Sequence, residues 1–216
     1  MRYDSSVAHT ASSLLVAVLV AGATVLGFEA TINPRLVHEA LLLGQSRVDS
    51  VRTRFHLPYR LQVARAPIDY IDVITPFRRI VLLTEERTQL GIRGFTQPEA
   101  TAALGDQADI LELRVEMTFH PQNAFVGVPG YDVELVAESP AARLTPRNVS
   151  RIPRFGARID GAPLSTVCGG GMPLTGGTIV AAFSIGDVNG GGVYDIVVSD
   201  AGKELGRARV NFGGLR

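Results

Sequence analysis

Residues 110–119 read ILELRVEMTF, and this stretch decides the fold class. Apolar side chains occupy every second position from Leu111 onwards, and the positions between them carry Glu, Arg, Glu and Thr. Because successive side chains of a strand point to opposite faces, the alternation predicts a β-strand with one apolar and one solvated face. Strands of this kind are typical of antiparallel sheets, which cover one face and leave the other in water.

Three more strand candidates follow near the end of the sequence, at residues 178–185, 193–199 and 205–212. We expect them to form an antiparallel meander. Residues 199–203, SDAGK, suit the hairpin loop between the last two strands, and Gly202 can adopt a left-handed conformation there.

Shorter strand candidates lie on the N-terminal side, at residues 59–63, 70–74 and 80–83. Residues 131–135 alternate again after the turn residues Pro129 and Gly130. These runs together predict a β-rich region over residues 58–138.

A helical N-terminal segment is predicted over residues 31–57. Asn33 can cap a helix that begins at Pro34, and apolar residues then recur at helical spacing as far as Gly44. A second, more polar helical stretch at residues 47–55 is ended by Pro58.

The fold class that these patterns predict is mainly β: an antiparallel β-sandwich, immunoglobulin-like or similar, with one or two N-terminal helices after a signal peptide. Residues 178–216 are expected to complete the same sandwich as residues 58–138. The patterns do not decide between one domain and two.

The apolar run at residues 14–26 predicts export. A seven-residue apolar centre at residues 14–20 precedes Ala21, Gly22 and Ala23, the small residues that a signal peptidase needs, so we expect residues 1–23 to be a cleaved signal peptide. An uncleaved anchor is the alternative, although the uninterrupted run is shorter than the roughly 20 residues of a membrane span. The expected location is periplasmic or extracellular, with no stable transmembrane segment after cleavage.

Charge and cysteine content limit the classes of partner. The 21 basic and 21 acidic residues balance, so we expect no nucleic-acid partner, whereas a protein or an envelope polymer fits. Cys168 is the only cysteine, so no intramolecular disulfide can form. Its role is open between a small structural side chain and a reactive thiol.

Residues 139–177 are rich in proline, glycine and arginine and are predicted to be a loop or linker. A basic strip in this stretch is a candidate contact for phosphate or carboxylate groups of an anionic partner. The alternative is a solvated loop whose charges pair with Glu134, Glu138 and other acids of neighbouring strands. The strip consists of Arg143, Arg147, Arg151, Arg154 and Arg158.

Residues 186–195, GDVNGGGVYD, resemble the calcium loops of FG-GAP and VCBS propeller repeats and, more distantly, those of dockerins, which read GDxNGDGxxD. The resemblance implies calcium ligands at Asp187, Asn189 and Asp195 and at the backbone carbonyl of Val193. Gly191 stands where the pattern has an acidic residue, and one copy does not make a propeller. The alternative is a glycine-rich turn without a metal, and we expect no other cofactor.

Catalytic motifs are missing from the sequence, so no catalytic residues are predicted. We expect an exported, non-catalytic β-sandwich protein with a structural or binding role at the cell envelope. One alternative is a secreted hydrolase whose site is assembled from dispersed residues such as His120, Asp187 and Glu116. The other is a calcium-stabilised adhesion module.

Overall fold

The computed structural model describes residues 28–29, 31–92, 94–138, 141–156 and 172–216. The predicted leader at residues 1–23, Arg158 and Cys168 lie outside the described residues.

The described part of the chain is mainly β, with two antiparallel sheets and four α-helices. Sheet A has the strand order β1-β2-β3-β7-β6, and sheet B has the order β5-β4-β8-β9. All strand pairs within the sheets are antiparallel, as predicted. The strands are β1 Arg60–Arg65, β2 Ile68–Ile74, β3 Ile110–Thr118, β4 Asp132–Ala137, β5 Arg143–Leu144, β6 Asn148–Phe155, β7 Leu174–Ser184, β8 Val193–Asp200 and β9 Lys203–Asn211.

Strand β3 lies at the centre of sheet A and confirms the alternation in residues 110–119. Leu111, Leu113, Val115 and Met117 are fully buried on one face. The other face carries the polar residues between them, including the exposed Arg114. The apolar face of this strand therefore lies in the core.

A single buried apolar cluster contains residues from both sheets. Leu113 of sheet A and Leu135 of sheet B both belong to it. Gly206 of β9 brings the sheets close together, because a Cβ atom there would lie 2.8 Å from Ile68 Cδ1 and 2.9 Å from Val63 Cγ1. The two predicted β regions therefore share one core.

The four helices are α1 Pro34–Gly44, α2 Asp49–His56, α3 Pro76–Gln89 and α4 Gln97–Leu104. The first two confirm the helical N-terminal segment, and Asn33 caps α1 as predicted by accepting a hydrogen bond from Leu36 N. The other two lie between β2 and β3, so the expectation that helices are only N-terminal is wrong.

Residues 80–83 belong to α3 and not to a strand. Thr75 caps this helix by accepting from Arg78 N, and Pro76 occupies its first turn. The run IVLL fits either structure because four apolar residues do not define a period. Packing decides it, since Ile80 and Val81 are buried in a second apolar cluster formed by helices α1, α3 and α4.

The prediction that residues 139–177 form a loop or linker differs from the structure, which contains β5 and β6 in this stretch and begins β7 at Leu174. Strand β6 shows no alternation of apolar and polar residues, because it is an edge strand whose side chains are mostly exposed on both faces. It also contains Pro153, which is unusual inside a strand. Its residues pair with β7, and within the described residues no other strand pairs with it.

The predicted three-strand meander is also divided, because β7 belongs to sheet A whereas β8 and β9 belong to sheet B. The β8–β9 hairpin is present, and Gly202 in its turn has φ of 82°, which confirms the left-handed conformation.

None of the described helices combines the length and the apolar character needed to cross a bilayer.

The shared core predicts one cooperative unfolding transition. Leu113→Ala and Leu135→Ala should each lower the free energy of unfolding by about 2–5 kcal/mol, because each leaves a cavity in the same core. The measurement is urea unfolding followed by circular dichroism. Val126→Ala, at a fully exposed position, is the control and should change stability by less than about 0.5 kcal/mol. Two separate transitions, one affected by each variant, would contradict a shared core.

Candidate functional site

A polar groove lies between helices α2 and α3 and strands β1 and β2, with a volume of about 680 Å³. It is open to solvent along one side and has more polar than apolar lining residues. We call it the polar groove. Its lining residues are Asp49, Arg52, Thr53, His56, Leu57, Arg60, Asp72, Arg78, Leu82, Glu85 and Gln89.

Arg78 forms the inner wall of the polar groove. It lies in the first turn of α3, which the Thr75 cap fixes beside the end of β2. Its side chain is only 3% exposed, and Nη1 donates to Asp72 Oδ1 at 2.8 Å and to the carbonyl of Val73 at 2.6 Å. Nη2 donates to Asp72 Oδ2 at 3.2 Å. A buried guanidinium needs this number of acceptors, because an unpaired buried charge is costly.

His56 connects the Arg78–Asp72 ion pair to a second residue of helix α3, Glu85. Its Nδ1 accepts a hydrogen bond from Arg78 Nε at 3.3 Å, and its Nε2 lies 3.0 Å and 3.1 Å from the two carboxylate oxygens of Glu85. Because Nδ1 is an acceptor, the ring proton is on Nε2 and is donated to Glu85. Both ring nitrogens are therefore engaged. We call the series of contacts the Glu85–His56–Arg78–Asp72 chain.

Tyr59 closes the inner end of this region. Its ring lies beneath the Arg78 guanidinium, with the carbon of the guanidinium 4.8 Å from the ring centroid. Its Oη donates to the carbonyl of Arg216 at 3.0 Å and accepts from Arg216 N at 2.9 Å. Burial raises the pKa of Tyr59 despite the lowering effects of these hydrogen bonds and of Arg78, so the phenol stays protonated.

The rim of the polar groove is more exposed than its wall. Arg52 pairs with Asp49 within α2. Arg60 of β1 lies over the ring of Tyr70, 4.4 Å from its centroid, and this contact holds the guanidinium against sheet A. Leu57 is 71% exposed and contributes an apolar edge.

A second buried acid lies on the outer face of sheet A next to the groove. Glu112 of β3 accepts from Arg79 Nη2 at 2.9 Å and from Arg114 Nε at 2.5 Å. Burial alone raises the pKa of a carboxyl, but the hydrogen bonds and charges of Arg114 and Arg79 outweigh it here. The pKa of Glu112 therefore lies below its usual range, and one carboxylate serves two guanidinium groups.

The residues of the dispersed hydrolase hypothesis are not brought together. His120 follows β3 and Asp187 follows β7, and these strands run antiparallel with Ile110 opposite Ser184. The two side chains therefore lie beyond opposite ends of the nine-residue strand β3, about 27 Å long. Glu116 accepts from Thr178 Oγ1 at 2.8 Å and lies 3.4 Å from Arg154 Nη1.

The predicted calcium ligands are divided between the turn after β7, which contains Asp187 and Asn189, and strand β8, which contains Val193 and Asp195, and three of the four have other partners. Asn189 Oδ1 accepts from Gly191 N at 3.0 Å, and Asp195 Oδ2 accepts from Arg207 at 2.8 Å. The carbonyl of Val193 accepts from Glu138 N at 3.1 Å, and Asp187 is exposed. Among the residues placed by the structure, no group of three His, Cys, Asp or Glu side chains could hold a metal ion. Calcium binding stays a prediction.

The predicted basic strip is divided among several partners. Arg143 pairs with Glu134 at 2.8 Å, as the solvated-loop alternative expects, although Glu138 pairs with Arg209 instead. Arg147 donates to Ser184 Oγ at 2.6 Å and lies 3.6 Å from Asp109.

The two arginines of the strip that lie in β6 also make intramolecular contacts. Arg151 donates to the carbonyls of Pro129 and Tyr131, and Arg154 donates to the carbonyl of Met117 at 2.8 Å. The four described arginines of the strip therefore contact neighbouring segments of the chain, and anion binding by the strip stays a prediction.

Sequence analysis did not find the polar groove. A signal was present, because Arg78, Leu82, Glu85 and Gln89 recur at helical spacing and share one face of α3. The interpretation of residues 80–83 as a strand concealed it.

Comparisons with protein-family profiles, with curated proteins and with solved structures found no match.

The Glu85–His56–Arg78–Asp72 chain predicts a large loss of stability when Arg78 is replaced. Arg78→Met should lower the free energy of unfolding by about 3–5 kcal/mol, because it leaves Asp72 partly buried without its cation. The matched control is Arg35→Met, in an exposed pair with Glu39, which should cost less than about 1 kcal/mol. Equal losses in urea unfolding would show that the buried chain has no special role.

The lowered pKa of Glu112 predicts a pH dependence. The carboxylate contributes stability that is fully present above its unfolded pKa, about 4.3, and that is lost as the pH falls through the lower folded value. The stability difference between the wild type and Glu112→Gln should therefore be largest near neutral pH and shrink on acidification below about pH 4. Urea unfolding of both proteins across this range measures it, and a difference that grows on acidification would refute the assignment.

Proposed function

We propose that this chain is an exported, non-catalytic binding protein of the cell envelope, periplasmic or extracellular, whose two sheets form a β-sandwich. Its binding surface is the polar groove. The observation that supports this best is the engagement of both ring nitrogens of His56, by Arg78 and by Glu85. A histidine in this state has no free nitrogen to take a proton from a bound molecule, so the groove supplies a fixed surface and not a general base.

The construction of the wall supports binding. The Glu85–His56–Arg78–Asp72 chain fixes side chains from α2, α3 and β2 before any ligand arrives. A surface that is already ordered loses little conformational entropy on binding, which favours affinity. The groove is broadly open to solvent, which suits part of an extended polymer better than an enclosed small molecule.

The chemistry of the lining supports a polar ligand. Three arginines and three acidic residues line the groove, and Leu57 and Leu82 are its aliphatic side chains. A ligand that presents hydroxyl and charged groups can satisfy these side chains, whereas a purely apolar ligand would leave them desolvated without partners.

Export of the protein is supported by the apolar run at residues 14–20 and by the small residues at Ala21 and Ala23. The envelope polymers share the compartment of an exported protein, and we therefore propose them as its partners.

The experiment uses the full chain expressed in a bacterium with two membranes. We expect the protein in the periplasmic fraction with its N-terminus at Thr24, and we expect it to co-sediment with washed cell envelopes. Thr53→Trp, on the exposed rim, should block the groove and reduce co-sedimentation at least about fivefold.

The matched control is Thr101→Trp, an exposed helix position on α4 outside the groove lining, which should bind like the wild type. Retention of the intact chain in the cytosol would contradict export. Equal co-sedimentation of the two tryptophan variants would contradict the role of the groove.

A further inference from the structure

We propose that the outer face of sheet A, along a row that starts in the polar groove at Arg60, binds a carboxylate-bearing polysaccharide through Arg60 and Arg114. This inference rests on the proposed function and names its ligand class. The two arginines belong to one row across the sheet, because Arg60 is opposite Asp72 in the β1–β2 pair and Asp72 is opposite Arg114 in the β2–β3 pair. Their Cα atoms are therefore two strands apart, about 10 Å.

Asp72, between the two arginines, does not neutralise them. Both carboxylate oxygens of Asp72 accept from the buried Arg78, which belongs to helix α3 and not to the row. Arg60, its direct cross-strand neighbour, is exposed and lies over Tyr70 instead. Among the described residues, no carboxylate oxygen lies within 4.0 Å of the Arg60 guanidinium. A guanidinium that contacts an aromatic ring uses none of its N–H groups in a hydrogen bond there, so these groups can donate to an anion.

Arg114 also carries positive charge that its neighbours do not cancel. Its partner Glu112 is shared with Arg79, so one carboxylate faces two guanidinium groups. Only the Nε of Arg114 is used in this contact, and the side chain is 45% exposed. Within the described residues its two terminal nitrogens make no hydrogen bond, so an incoming carboxylate can accept from them.

The charges around the row favour an anion. The two acids of this patch, Asp72 and Glu112, face four arginines, which are Arg60, Arg78, Arg79 and Arg114. Two further acids lie close by. Glu116 is paired with Arg154, whereas Glu85 accepts from the uncharged ring of His56 and keeps its negative charge. Together these five arginines, Arg154 included, and four acids leave one excess positive charge, although the whole chain is neutral.

The uncharged side chains on the same face favour a sugar polymer. Gln62 lies opposite Tyr70, Thr178 lies opposite Glu116, and Ser150 belongs to the row of Arg114 through Val180. Amide and hydroxyl groups on a sheet face can donate to and accept from sugar hydroxyls. A single-stranded nucleic acid is disfavoured, because Arg60 covers the ring of Tyr70, which therefore cannot stack with a base.

The experiment measures binding of the mature protein to tetragalacturonate by calorimetry at low ionic strength. The matched ligand control is the fully methyl-esterified oligomer, which has the same backbone and no charge. We expect binding of the acid form, weakening with added salt, and no heat with the ester. Arg60→Gln and Arg114→Gln should each weaken binding by about three- to tenfold, since each removes one charged contact.

Arg209→Gln is the matched protein control, because Arg209 is an exposed strand arginine of sheet B that pairs with Glu138. It should leave the affinity unchanged, and circular dichroism should show that all variants remain folded. The inference is overturned if the ester binds equally, if neither arginine variant weakens binding, or if single-stranded DNA binds more tightly than tetragalacturonate. Absence of binding to tetragalacturonate, with co-sedimentation to envelopes intact, overturns this inference and leaves the proposed function standing.

Discussion

The buried guanidinium of Arg78 is the group on which the joint between helices and sheet depends. A charge that is only 3% exposed is stable in a protein only when its hydrogen-bonding capacity is met. Here the acceptors come from three directions: Asp72 and the carbonyl of Val73 in β2, His56 in α2, and the ring of Tyr59 beneath. The hydrogen bonds of the Arg78 side chain thus fix the positions of α2, α3 and β2 relative to one another.

The polar groove is a consequence of this joint. Arg78 and the Thr75 cap hold the first turn of helix α3 at the end of β2. The space left between α2, α3 and the first two strands is lined by the same side chains that hold the joint together. The stability of the helical part and the shape of the groove therefore have a common origin.

Strand β3 shows how one sequence pattern serves two purposes. Its apolar positions fill the core that both sheets share, whereas Glu112 and Arg114 on the opposite side organise the charges of the outer face. The same alternation that made residues 110–119 predictable thus also positions the charged row next to the groove.

Prediction from sequence succeeded where structure is decided locally. The period of β3, the Asn33 cap of α1 and the glycine of the β8–β9 turn are properties of a few neighbouring residues. It failed at α3, because IVLL carries no period and packing against α1 and α4 decides its structure. The spacing of Arg78, Leu82, Glu85 and Gln89 marks the face of α3 that lines the groove. The residues of α2 and β2 that meet this face, His56 and Asp72, come together only after the helices and strands have packed.

The exposed edge of sheet A has a consequence for colloidal behaviour. An edge strand presents backbone groups to which a strand of another molecule can add, and such addition is the first step of fibril growth. In β6, Pro153 lacks an amide hydrogen, and the charged Arg151 and Arg154 repel an identical edge. Strand β6 thereby acts as a gatekeeper that discourages self-association through this edge of the sheet.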